Sequence, residues 1–145
     1  MNKLQFSTNI QASKEKVWNI LWQDETYGMW TSVFSEGSKA VTDWNEGSKV
    51  LFMDSKGSGM FSMIEKKIPN EYMAFKHLGE LKDGQELPPT AKTSEWSGSM
   101  ETYTLKETDG ITELTVELDA TEEFADYFKE VFPKAVEKIK SLSEN

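Results

Sequence analysis

Cysteine, arginine and long apolar runs are all missing from this chain of 145 residues. Without cysteine there is no disulfide framework, no thiol nucleophile and no thiolate metal site. Without arginine there is no planar fork for phosphate, carboxylate or guanine edges; all sixteen basic residues are lysines, against twenty-five acids. A net charge of -9 repels polyanions, so neither nucleic acid nor stable membrane association is expected. Histidine occurs once, as His77. A transition-metal site would therefore need mostly carboxylates, and no metal is expected. Nucleophile elbows, phosphate-binding glycine loops, zinc-protease and dinucleotide motifs are missing too, so no cofactor is expected. The first residues, MNKLQFSTNIQ, contain no apolar signal core. The expectation is a protein of a reducing compartment, most simply the cytoplasm.

What is abundant is large side chains: five Trp, eight Phe, four Tyr and seven Met. Each aromatic buries roughly 150–250 Å², so a few build a core. A surplus of aromatics and methionines also suits an adaptable cavity. The length fits one domain over residues 1–145.

Hydrophobic period divides the chain. Leu4, Phe6 and Ile10 in LQFSTNI suggest a strand. Ser13 is placed to cap a helix through KEKVWNILW, with Val17, Trp18, Leu21 and Trp22 on one stripe read as core. A second short helix is expected from Asp24 to about Met29. Between Ser38 and Leu118 strands and turns alternate, giving strands near 38–44, 48–54, 59–68, 71–81, 97–107 and 111–118. Residues 82–96, with Pro88-Pro89, form a loop without regular period, of the length that tends to carry function. From Thr121 onward Phe124, Tyr127, Phe128, Val131, Phe132, Ala135, Val136, Ile139 and Leu142 recur at helical spacing. Pro133 predicts a kink or joint there. An antiparallel seven-stranded sheet must bury one face, and this helix is the only element long enough to cover it.

The stretch VTDWNEGSKVLF invites a calcium reading, with Asp43, Asn45 and Asp54 at loop positions one, three and twelve. The glycine required at position six is Ser48, and the flanks are strands rather than helices. Asn45-Glu46-Gly47 is better read as a hairpin turn. His77 shares strand parity with Met73 and Phe75, and Glu101 with Tyr103 and Leu105. A His and a Glu on neighbouring strands inside a cavity would form a proton-transfer pair; at the sheet rim both would be solvated. Trp30, Phe34, Phe52, Met63, Phe75 and Trp96 are candidate cavity walls, with Trp96 at the end of the long loop as a lid. Parity within 50–54 and 60–64 stays open, since both faces carry apolar residues.

The element order, carried by Val17-Trp18 with Leu21, Trp30, Phe34, Asp43-Trp44-Asn45-Glu46-Gly47-Ser48, Glu65 ahead of Pro69 and Thr112-Glu113-Leu114-Thr115, resembles the START/Bet v 1-like superfamily. Within it the chain is similar to the family of the activator of Hsp90 ATPase. The resemblance implies an α+β helix-grip fold: a curved antiparallel sheet around a long C-terminal helix, with two short helices between strands 1 and 2. It also implies an apolar cavity holding an apolar or amphipathic small molecule. The expected ligand-binding residues are Trp30, Phe34, Phe52, Met63, Phe75, His77, Trp96, Tyr103 and Phe128. Two alternatives stand beside ligand binding. One is a cyclase or hydratase using His77 with Glu101 or Tyr103; the other is a chaperone-linked module with a chaperone as partner. Oligomeric state is left open.

Overall fold

The computed structural model describes residues 1–145. Strand β1 (Asn2–Ile10) leads into helices α1 (Lys14–Trp22) and α2 (Asp24–Thr31). Strands β2 (Lys39–Val41), β3 (Lys49–Met53), β4 (Gly59–Ile68), β5 (Tyr72–Lys82), β6 (Gln85–Glu86), β7 (Met100–Thr108) and β8 (Ile111–Ala120) follow, and α3 (Glu122–Glu144) closes the chain. The sheet is antiparallel throughout, in the order β1-β8-β7-β5-β4-β3-β2, with β6 added to β5. The α+β helix-grip fold is thus present, with the two-residue β6 as an eighth strand. No helix is long and apolar enough to cross a membrane.

Local chemistry accounts for the boundaries. The Ser13 hydroxyl accepts from the Lys16 N–H at 3.2 Å and starts α1, whose Val17, Trp18, Leu21 and Trp22 are buried. Four residues of α3 beyond Pro133 are buried, among them Ala135 and Ile139, and Phe132 precedes it in the core. The expected joint does not form: α3 runs unbroken through Pro133, because tertiary packing on both sides holds it while proline removes a single N–H.

The expected hairpin at residues 45–47 is a longer loop, 42–48, because β2 ends at Val41. Trp44 adopts φ 62°, leaving the sheet so that its ring packs on Trp22 at 5.4 Å and Phe75 at 6.4 Å. Of the acids of this loop, Asp43 serves the loop's own backbone and Glu46 ties it to β4. Asp43 Oδ1 accepts from Asn45 N–H at 2.9 Å and Glu46 Oε1 from Lys67 N–H at 2.9 Å.

Two bulges bend the sheet. Phe61 pairs with Gly79 but Ser62 with His77, so Leu78 is the extra residue on β5; Ile64 pairs with Phe75 but Lys66 with Ala74, so Glu65 is extra on β4. Each bulge locally sharpens strand twist and changes which side chains face inward. Gly59 lies tight against β3: a Cβ there would lie 1.9 Å from the Phe52 carbonyl oxygen.

Burial along α3 is uneven, and this positions the site. Beyond Glu130 the helix buries Val131, Phe132, Ala135, Val136, Ile139 and Ser143; between Glu122 and Glu130 only Ala125 is buried. The N-terminal half of the grip therefore stands off the sheet.

Candidate functional site

That stand-off opens a cavity of about 620 Å³, within the range of ligand sites. Phe52 from β3, Phe75 and His77 from β5, and Glu101 and Tyr103 from β7 form its floor. Tyr27 and Trp30 from α2 close one side; Phe124, Tyr127, Phe128 and Phe132 from α3 form the roof. Lys39, Asp54, Lys92 and Trp96 also line it. Phe124 and Tyr127, each 42% exposed, mark its mouth.

The closed end is polar. Ser62 and His77 are cross-strand partners, and the Ser62 hydroxyl lies 2.6 Å from His77 Nδ1. His77 Nε2 lies 3.0 Å from Glu101 Oε1, and the Tyr103 hydroxyl donates to Glu101 Oε2. With the imidazole neutral, the chain closes in one sense. Ser62 O–H donates to Nδ1, while Nε2–H and the Tyr103 phenol donate to the two carboxylate oxygens. The network thereby supplies the partner that a cavity-facing Glu101 requires. Burial, and then the charge of Glu101, push the Tyr27 and Tyr103 hydroxyls well above the ordinary phenol range; the hydrogen bond to Glu101 adds to the effect on Tyr103. Both phenols stay neutral donors in any physiological medium.

Chemically, the quartet holds a proton between His77 and Glu101 and presents a carboxylate with spare lone pairs to an apolar chamber. Both ring nitrogens of His77 are engaged, so direct proton exchange with a bound molecule needs one contact to open. No group of three His, Cys, Asp or Glu side chains is arranged to hold a metal.

Of the residues singled out by sequence, Trp30, Phe34, Phe52, Phe75, His77, Trp96, Tyr103 and Phe128 line this cavity, as does Glu101. Met63 does not: Ser62 and Ile64, its neighbours on β4, are both buried inward, which turns Met63 to the outer face. Met60 is the methionine that lines the cavity, paired with Glu80 beyond the β5 bulge. Trp18 and Leu21 pack in the core, whereas Trp22 is both core and cavity wall. The loop 82–96 carries β6 and a short 3₁₀ turn (Thr93–Glu95), and β7 starts at Met100 rather than 97. Trp96 belongs to its final turn. The residues joining this loop to β7 support His77, whose N–H donates to the Ser99 carbonyl at 2.9 Å while its carbonyl accepts from Gly98 N–H at 2.7 Å. Ser62 and Tyr27 escaped the sequence reading. Ser62 shares parity with Met60 and Ile64, but the apolar residues on both sides of that strand hid the inward face.

The family model for the activator of Hsp90 ATPase homolog 1-like protein matches residues 11–144. A search of curated protein sequences finds no match. Similar folds occur among solved structures. The Aha1 dimer from Colwellia psychrerythraea is 19% identical with a TM-score of 0.73, over 99% of this chain and 97% of that one. A protein from Mesorhizobium loti is 17% identical with a TM-score of 0.76, over 97% and 96%. DynU16, a protein in the dynemicin biosynthetic locus, is 11% identical with a TM-score of 0.71, over 97% of this chain and 46% of its own. At these identities the likeness is one of fold.

Proposed function

We propose, from the premise that this chain belongs to the activator of Hsp90 ATPase homolog 1-like family, that it is a small-molecule binding protein. It holds an apolar or amphipathic ligand between the sheet and α3. The observation that carries this reading is the cavity of about 620 Å³, walled by aromatic rings and closed by one polar cluster. Apolar walls supply affinity by burial, and a few polar groups fix orientation. Native mass spectrometry of gently purified protein, then amide-shift titration with lipids and aromatic polyketides, tests it. A bound mass, or shifts focused on residues 75–77 and 101–103, is expected. An interior that stays silent to every class would overturn the reading.

A cyclase- or hydratase-type enzyme is the second reading, favoured by the 3.0 Å contact between His77 Nε2 and Glu101. It predicts turnover lost in His77→Gln with ligand affinity kept. Binding ranks first because Ser62 and Glu101 occupy both His77 nitrogens. The chaperone-linked module is a third reading, supported by the family description.

A further inference from the structure

The cavity's charge is as distinctive as its shape. Its lining includes four carboxylates, Asp54, Glu80, Glu101 and Asp119, against the cations Lys39 and Lys92. Lys92 already lies 3.5 Å from Glu123, outside the lining. Asp54 is held charged by the N–H groups of Lys56 and Ser58, and Asp119 accepts from Met100 N–H at 3.0 Å. Even with His77 protonated the lining keeps an excess of negative charge, in a chain of net -9.

Glu101 is the carboxylate at the closed end, its side chain 19% exposed. His77 and Tyr103 together use two of its roughly four lone-pair directions. Beside it stands Tyr27, 8% exposed, whose hydroxyl takes no partner in the protein. The rings of Tyr27, Trp30, Phe52, Phe75 and Tyr103 surround this end with neighbouring centroids 5.2–6.4 Å apart. Aromatic faces carry partial negative charge and attract cations, most strongly where water is excluded. A carboxylate or phosphate headgroup would meet Glu101 with no arginine or lysine at that depth to receive it. A protonated amine would find a carboxylate, a phenol oxygen and ring faces.

We propose that the cavity is selective for cationic apolar molecules, protonated amines or quaternary ammonium compounds, with the charged nitrogen seated against Glu101 and the apolar body lying under Phe128 and Phe132. The inference rests on the ligand-binding reading above and specifies its ligand class; fatty acids and other anionic amphiphiles are excluded.

The test uses three probes of one shape at pH 7.5: 2-naphthylmethylammonium, 2-naphthylmethanol and 2-naphthoate. Calorimetry and amide shifts are measured on the full chain and on Glu101→Gln, with Glu80→Gln as a rim comparison. The expected order is ammonium over alcohol over carboxylate, with about tenfold between the first two. Glu101→Gln is expected to erase the ammonium preference, read as the ratio of ammonium to alcohol affinity within that variant, and Glu80→Gln to weaken the preference less. Equal or tighter binding of the alcohol or the carboxylate by the unmodified protein would overturn the proposal while leaving ligand binding intact. So would an ammonium preference that survives in folded Glu101→Gln. Silence from all three probes would count against the binding reading itself and take the charge selectivity with it. Should Glu101→Gln not fold, the order measured on the unmodified chain still decides.

Discussion

Raising the pH should unfold this protein through two particular phenols. Tyr27 and Tyr103 are 8% and 1% exposed, and burial, followed by the charge of Glu101, lifts both above the unfolded value of 10.0. Above pH 10 the unfolded chain has released these two protons while the folded chain still holds them. The folded state then binds more protons, so the stability they support is present below pH 10 and lost as the pH climbs past it. Each group lowers the unfolding free energy by about 1.4 kcal/mol per pH unit beyond 10, so the pair removes about 3 kcal/mol by pH 11. That is a large share of the 5–15 kcal/mol typical of a domain. Urea unfolding followed by tryptophan fluorescence at intervals from pH 8.5 to 11 measures the slope, and absorbance near 295 nm reports phenolate. Tyr27→Phe and Tyr103→Phe should each flatten the alkaline slope by about one group's share, whatever their stability at pH 8. Lysine titration is common to all three proteins and cancels. If both variants kept the parent slope, or if all four tyrosines ionised before unfolding, the account of a buried neutral phenol pair beside Glu101 would be refuted.

Ser62→Ala should cost about 1–3 kcal/mol by stranding buried His77 Nδ1. Imidazole ¹⁵N shifts should register the lost contact, and unchanged shifts would argue that the 2.6 Å bond does not set the ring. Gly59→Ala should disrupt the β3–β4 hairpin, because its Cβ would fall on the Phe52 carbonyl. Proton exchange at residues 50–53 reports this, and unchanged protection would contradict the close approach. At the acid end, backbone N–H groups of Ser58 and Lys56 hold Asp54 below its ordinary value of 3.8. Its contribution is thus complete above about pH 4 and fades as the pH falls further. Asp54→Ala should weaken the protein at neutral pH and flatten the decline below pH 4 in a melting series; an identical acid profile would remove Asp54 as a cause.

The periodic elements were legible because their signals are local. A helical stripe from Phe124 to Leu142 and a capped Val17–Trp22 segment each contain their own evidence, and turn residues mark most strand ends. Counting along β5 and β7 put His77 in parity with Met73 and Phe75, and Glu101 with Tyr103 and Leu105, but left open whether the pair faced a cavity or the sheet rim. On β4 the same counting failed, since Met60, Phe61, Met63 and Ile64 put apolar groups on both faces. Trp44 misled for a related reason: it reads as the end of a strand, yet it leaves the sheet at φ 62° to reach Trp22 and Phe75.

By itself the sequence determined the order of elements, the α+β class, the aromatic surplus and the acidic, arginine-free charge balance. Tertiary structure alone decided which side chains meet. The Leu78 bulge puts Glu80 rather than Gly79 on the cavity side, cross-strand register joins Ser62 to His77, and the uneven burial of α3 leaves a chamber instead of a filled core. Side-chain direction in a sheet is inherited from pairing with a distant strand. A residue's own neighbours in the chain cannot specify it.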